Sequence, residues 1–416
     1  MKGLLLSHPT GNANVRAALA GLLDAGMLEQ FHTSIATFPG NGWDLLGRTS
    51  LGREFQRRFF DRRLRPLTVQ YPFRELARMF AGRLNLNAFY RHETGMFSID
   101  AVYRAQDKAV ANRLRRAPGT FSGVYAYEDG ALETFKAAAE INVRRIYDLP
   151  IAFWTTVRRM LAEEAERLPA WKRTLGGGVD DSETKLERKS AEFELADMVI
   201  CPSQFVAGSV PEKVKDGKKI IVAPFGSPSD VANGDSPRTM GDGKLRVLFA
   251  GSMSQRKGLG DLFSAMRLLK RRDIELHVMG SPQAPMEFYR AEFGAFIHES
   301  NRPHPEVLRL MRSCHVFCLP SVIEGRALVM QEAMSQGLPL IITPNTGGED
   351  LIEEGETGYL VPIRSPETIA EKIAWFADHR AELSDMSRAA RQKAAELTWE
   401  SYGRTIANAI LKPNKS

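Results

Sequence analysis

Residues 316–348 read VFCLPSVIEGRALVMQEAMSQGLPLIITPNTGG. The apolar run Val316–Leu319 has the length and composition of a buried parallel strand. Pro320 and Ser321 close it, and over residues 328–336 the apolar side chains recur at helical spacing. A strand that feeds a helix through a tight turn presents backbone N–H groups and a positive dipole end at the sheet's carboxyl edge, where anions bind. Glu324 lies in the turn and Glu332 lies eight residues on, inside the helix. At 1.5 Å per residue the two are at most ~12 Å apart along the axis. That separation suits groups gripping the two ends of a ligand built around a diphosphate. On spacing alone, two solvated carboxylates fit as well.

The chain of 416 residues is long enough for two or three domains, each with its own core. With 43% apolar and 25% charged residues it has a globular composition. The apolar block Leu4 to Leu6 in MKGLLLSHPT is too short for a signal peptide or a membrane span, so a cytoplasmic protein is expected. Cys201, Cys314 and Cys318 make no disulfide framework and no paired zinc spacing, and read as buried thiols. Net charge is +6 and unevenly spread. Over residues 41–116, Arg57, Arg58, Arg62, Arg63 and Arg65 interleave with Phe55, Phe59, Phe60, Leu64 and Leu67. Such a basic amphipathic face fits an anionic membrane surface or an acidic acceptor, although an ordinary solvated helix accounts for it more simply. A peripheral position at the inner face of a membrane is therefore an open expectation. No nucleic-acid-binding motif accompanies the charge, and nucleic acid is not expected as a partner.

Along the chain, residues 2–7 read as a first strand, and Gly11, Asn12 and Asn14 suit the strand-to-helix turn after it. This turn lacks the G-x-G-x-x-G fingerprint of a dinucleotide site. Residues 31–37 fit a second strand, the arginine-rich region reads as helical without strands, and residues 121–127 and 145–149 fit further buried strands. Strands alternating with helices indicate a doubly wound parallel sheet. The loop LGGGVDD (residues 175–181) carries an Asp180–Asp181 doublet that reads as solvated rather than metal-binding. Residues 226–244, rich in Gly, Ser, Pro and Asp, read as a linker. Beyond it the alternation restarts with strands at 245–250, 274–279 and 340–343, and ends in a helix over 399–411. The fold class expected is α/β, with two Rossmann-like domains facing a cleft. Residues 1–222 form the first domain and 223–396 the second, with residues 397–416 returning to the first.

GSMSQRKG, residues 251–258, opens the helix after the first strand of the second domain. It places Arg256 and Lys257 on the same carboxyl edge as Glu324 and Gly325. Two cations and two helix starts on one edge would stabilise a diphosphate, and more so the charge it gains as a leaving group.

These pieces, with APFG (residues 223–226), FAGSMSQRKGL, TGGEDLIEEGETGYLVP and TWESYG, resemble the retaining GT-B glycosyltransferases of family four, the group 1 glycosyltransferases. Glu324 and Glu332 fall on that family's E-x7-E signature. The resemblance implies that Glu324 holds the donor sugar and stabilises its developing positive charge, while Glu332 binds the ribose. It implies that Arg256 and Lys257 bind the diphosphate, helped by backbone amides of Gly325, Arg326, Ala327 and Leu328, with Gly11 covering the phosphates as the cleft closes. It also implies a nucleoside diphosphate sugar as donor, a glycan, glycolipid or small-molecule acceptor, no cofactor and no metal. Three departures stand out. Ser252, expected among the donor-binding residues, replaces an arginine common in relatives, so Arg256 is expected to supply that cation. E-G-R-A replaces E-G-F-G, which puts Arg326 at the mouth of the donor site, facing phosphate or an acidic acceptor. No histidine occurs over residues 147–154, which leaves His8, with Asn14, as acceptor-side candidates. An epimerase or hydrolase of the same fold, a non-catalytic nucleotide-sugar-binding module, and an inverting transferase with His8 as base are the rival readings.

Overall fold

The computed structural model describes residues 2–49, 52–176, 181–228 and 243–412. Asp180 and most of the 226–244 linker lie outside them. Seven strands form the first sheet: β1 (Leu4–Ser7), β2 (Leu28–Thr33), β3 (Thr68–Gln70), β4 (Gly123–Tyr127), β5 (Arg144–Asp148), β6 (Met198–Cys201) and β7 (Lys219–Val222). Six form the second: β8 (Leu245–Ala250), β9 (Ile274–Met279), β10 (Phe296–Glu299), β11 (Val316–Leu319), β12 (Leu340–Ile342) and β13 (Gly358–Leu360). Their orders are β3-β2-β1-β4-β5-β6-β7 and β10-β9-β8-β11-β12-β13, with every pairing parallel.

Strands β4, β6, β11 and β12 are apolar without alternation because helices cover both faces of each sheet. In the first sheet, Leu4, Leu6, Tyr125, Ile146 and Ile200 enter one core layer, while their chain neighbours Leu5, Val124, Ala126, Tyr147 and Val199 enter the other. The two-residue period of a strand makes that division.

Two segments join the sheets. The closing helix Trp399–Leu411 leaves the second domain and lays Tyr402, Ile406 and Ile410 into the first domain's core beside helix Ala13–Asp24. These helices touch through two glycines: a Cβ on Gly21 would lie 2.3 Å from the Gly403 carbonyl carbon. Arg144 and Lys219 donate to the carbonyls of Ile410 (2.7 Å) and Ala409 (2.9 Å), satisfying groups the helix end leaves open. In the opposite direction, Trp171 inserts into the second domain's core against Phe263, Phe288 and Tyr289. Arg167 pairs with Asp261 at 2.8 Å, and Arg364 donates to Glu164 at 2.7 Å. The sheets thus divide between Val222 and Leu245, but the packing does not follow that division.

Three strands depart from expectation by being present at all: β3, β10 and β13. Each is an edge strand of three or four residues with partly exposed positions, too short for an apolar run to register. The second strand occupies Leu28–Thr33 rather than 31–37. Ile35, Ala36 and Phe38 are apolar because they are buried, Ile35 against Phe55 and Met79, not because they pair in the sheet. Among the described residues no helix is long and apolar enough to cross a membrane. Gly21→Val should force the two touching helices apart, costing about 1–3 kcal/mol of stability. Calorimetry should record a lower melting temperature, and an unchanged one would show that the contact does not hold the closing helix.

Candidate active site

In each sheet the winding reverses at one place, between β1 and β4 and between β8 and β11. Crevices form outside the carboxyl ends of strands at such points. The loops after these four strands face one another across a cleft of about 730 Å³. His8, Asn12 and Asn14 line it from the loop after β1, and Tyr127 and Glu128 from the end of β4. Gly251 and Lys257 line it from the loop after β8, and Glu324 from the turn after β11.

Backbone contact fixes the cations beside the carboxylate. The 251–258 loop ends at Gly258, whose φ of +74° and approach to Pro320, where a Cβ would lie 2.0 Å from the carbonyl oxygen, exclude any other residue. The Val322 N–H donates to the Arg256 carbonyl at 2.9 Å, tying the loop to the turn after β11. As a result Lys257 Nζ lies 2.7 Å and Arg256 Nη2 3.4 Å from the same oxygen, Glu324 Oε1. That oxygen is buried and makes no aligned hydrogen bond; both cations hold it through charge alone. Lys257 faces the main cleft, whereas Arg256 lines an adjoining chamber of about 290 Å³ with Ile323 and Glu128. Glu128 borders both spaces.

Gly325 lets the turn meet the first domain, since a Cβ there would lie 1.9 Å from the Pro150 carbonyl oxygen. Ser203 Oγ donates to the Gly325 carbonyl at 2.7 Å. Helix Leu328–Ser335 then starts at the cleft wall with no side-chain cap, so its first N–H groups point where an anion would sit. The amide of Ala327 is not among them, because it donates to the Thr346 carbonyl at 3.2 Å. Glu332 also lines the cleft and pairs with His304 Nε2 at 3.2 Å.

Other expectations need correction. Arg326 lines the cleft, but its guanidinium is not free to face phosphate or an acceptor. It is wholly buried and spent on Asp350 (2.6 Å), the Gly347 carbonyl (2.8 Å) and Gln331 (3.1 Å). Gly11 does not face the main cleft: a Cβ there would lie 2.2 Å from Phe60, and the residue lines a separate groove on the arginine-rich side. Ser252 sits off the cleft wall with its Oγ 3.3 Å from that of Ser254. Asp181 is held by Lys185 (3.0 Å) and His92 (3.1 Å), which keep its carboxyl below the usual range. His92, Glu93 and Asp181 bring three ligand atoms within 4.8 Å of one another, but the Lys185 ammonium already sits against this group.

His8 is buried against Tyr127 (ring centroids 4.6 Å apart), and its Nδ1 accepts from the Thr10 N–H at 3.0 Å. Burial lowers its pKa to about 4. Such an imidazole is neutral near pH 7 and a weak proton acceptor. The sequence reading missed Glu128, whose pKa burial raises to about 7 against the opposing pull of Lys189, 3.6 Å away. It also missed Arg302 and His304 on the cleft wall. Glu128 ends a strand read as buried, and the carboxyl ends of strands were the signal that would have found it. The other two follow β10, the edge strand that went unseen.

Burial also raises the pKa of Asp148 to about 7 and of Glu192 to about 8. Such acids keep protons in the folded chain that the unfolded chain has lost, so their contribution to stability falls as pH rises through those values. His8 and His32, lowered to about 4 and about 3, act in the opposite sense only below the ordinary histidine value of 6.5. Melting temperature should therefore fall between pH 6.5 and pH 8, and Asp148→Asn should flatten part of that fall. A midpoint that rises across this window would contradict the assignment.

Residues 237–393 match the family model described as glycosyl transferases group 1. The D-inositol 3-phosphate glycosyltransferase of Paenarthrobacter aurescens is 29% identical over 48% of this chain and 55% of its own length. The amylovoran biosynthesis glycosyltransferase AmsK of Erwinia amylovora is 26% identical over 36% of this chain and 40% of its own. The chain spans about half the length of the curated relatives it matches. Among solved structures, sucrose-phosphate synthase from Thermosynechococcus elongatus superposes with a TM-score of 0.66 at 16% identity, over 97% of this chain and 96% of that one. Anabaena HepE in complex with UDP gives 0.59 at 15% identity over 99% of both chains. By fold this chain is GT-B, and over residues 237–393 its sequence is similar to the group 1 glycosyltransferases.

Proposed function

We propose that the protein is a retaining glycosyltransferase that moves a hexose from a nucleoside diphosphate sugar to an acceptor hydroxyl, in the synthesis of a cell-surface glycan, exopolysaccharide or glycolipid. The observation that carries the reading is the convergence of Lys257 and Arg256 on Glu324, beside an uncapped helix start, where the two sheets' winding reversals face each other. Lys257 on the cleft wall and the helix dipole stabilise a leaving diphosphate as its charge grows, while Arg256 holds Glu324 from the adjoining chamber. They supply the charge a metal would otherwise bring, so no metal is assigned to the reaction. HepE, of the same fold, holds UDP, which supports a nucleotide donor.

In this reading the donor diphosphate lies over the helix start against Lys257, and Glu332 takes the ribose hydroxyls. Glu324 holds sugar hydroxyls and offsets positive charge at the anomeric carbon. The acceptor hydroxyl attacks on the same face as the departing phosphate, and an oxygen of that phosphate accepts its proton. No side-chain base is required, in keeping with a His8 whose pKa is about 4.

Glu324→Ala should lower turnover by about a hundredfold or more while leaving the fold intact. Turnover within a few-fold of the parent would remove Glu324 from the reaction. Proton NMR of the product should show the anomeric configuration of the donor retained; the opposite anomer would exclude the front-face course. A thermal-shift screen of nucleotide sugars identifies the donor, because a ligand bound by the folded state raises its melting temperature.

A further inference from the structure

Nine of the twelve large apolar side chains that stand exposed among the described residues fall between Leu45 and Ile99. The same region, residues 41–116, holds sixteen Lys and Arg against seven Asp and Glu. Its excess of positive charge is larger than that of the whole chain. An apolar patch set in a basic field is a surface in need of a partner.

Helix Pro72–Arg83 shows how the patch is built. Phe73 is 76% exposed, Phe80 64%, and Leu84, just past the helix, 53%. At the helical turn angle these three fall within about 20° of one line along the helix. Another face of the helix buries Met79 in a small core with Ile35 and Phe55. The helix therefore has two apolar faces and folding uses one. Leu86 and Phe89 extend the outer face beyond the helix end, and Arg74 donates to the Met96 carbonyl at 2.7 Å, bringing exposed Met96 beside it.

Next to this face lies a groove of about 530 Å³ lined by Arg57, Arg58, Arg78 and Arg83, with Glu54 as its one acid. Glu75 beneath it binds both Arg58 and Arg78, so one carboxylate serves two guanidinium groups. The Arg58 Nη1 is buried without a hydrogen-bond partner. Asn12 lines both this groove and the donor cleft, so the two spaces meet at that residue.

We propose that this face docks on an anionic phospholipid bilayer by inserting Phe73, Phe80 and Leu84, and that the arginine groove receives the phosphate of a lipid acceptor whose hydroxyl then reaches the cleft past Asn12. The acceptor class is an amphiphile carrying a mono- or diphosphate. Guanidinium groups pair with phosphate through parallel hydrogen bonds, and the apolar face takes the part of the lipid that water excludes. The acceptor's role rests on the transferase reading; the docking does not.

The test is co-sedimentation with vesicles of phosphatidylcholine, with and without phosphatidylglycerol, at low and high salt. Melting temperature and lipid-free gel filtration are recorded for every variant. The parent chain should bind the anionic vesicles and keep part of that binding at high salt, since inserted apolar side chains are not screened. F73S/F80S should lower the partition about tenfold or more at either salt. R57A/R83A should lower only the component that depends on anionic lipid. Failure of the parent chain to bind anionic vesicles, or unchanged binding by F73S/F80S, would overturn the proposal. So would a lipid-free dimer that F73S/F80S dissociates, since the face would then join two copies. If inorganic pyrophosphate stabilises the parent but not R57A/R83A while vesicles fail to bind, the groove serves a soluble phosphate and the lipid assignment falls. A chain that binds vesicles but turns over no nucleotide sugar would instead fail the transferase reading and leave the docking face standing.

Discussion

One carboxylate oxygen, Glu324 Oε1, sits 2.7 Å from Lys257 and 3.4 Å from Arg256, buried at the meeting of two domains. Burying a carboxylate beside two half-buried cations is costly unless each is held by its partners. Here the cost is met by backbone geometry. The loop bearing the cations has a left-handed Gly258 pressed on the carbonyl of Pro320, and the turn bearing the carboxylate hangs from the Arg256 carbonyl through Val322. Neither loop can move without the other. The cations are therefore placed before any ligand arrives, which is the condition under which fixed charges stabilise a transition state rather than merely attract a substrate.

The cleft also depends on how the domains are tied. Two segments cross in opposite directions, the closing helix into the first core and Trp171 into the second. Between them Gly325 touches Pro150 with no room for a side chain. Glu164 is fully buried and receives hydrogen bonds from Gln255 and Arg364, both of the second domain. A closed set of polar contacts at this seam, together with two exchanged apolar anchors, holds the two winding reversals opposite each other. The seam is thus as much part of the site as the residues lining it.

Much of this was legible in the sequence because its signals were local. Strands such as Met198–Cys201 and Val316–Leu319 announce themselves by being apolar on both faces. The pairing of Arg256 and Lys257 with Glu324 follows from placing two strand–helix junctions on one sheet edge. What stayed hidden depended on distant contacts. Arg326 looked like a site cation because its partner, Asp350, lies 24 residues away in sequence. Gly11 looked like a phosphate loop because the ring that fills the space beside it, Phe60, belongs to another segment. Glu128 carried no motif, and only burial at a winding reversal sets it apart. Likewise, Trp171 gave no sign that it belongs to the other domain's core.

Affinity for a bare nucleoside diphosphate bears most directly on whether Lys257 and the adjoining helix start receive a diphosphate. Isothermal calorimetry with UDP, GDP and ADP on the parent chain and on Lys257→Ala measures it. At least one nucleotide should bind the parent chain, and the variant should bind it about tenfold or more weakly, the loss expected for a charged hydrogen bond to phosphate. Equal affinity in the two proteins, with the variant's melting temperature unchanged, would place the diphosphate elsewhere.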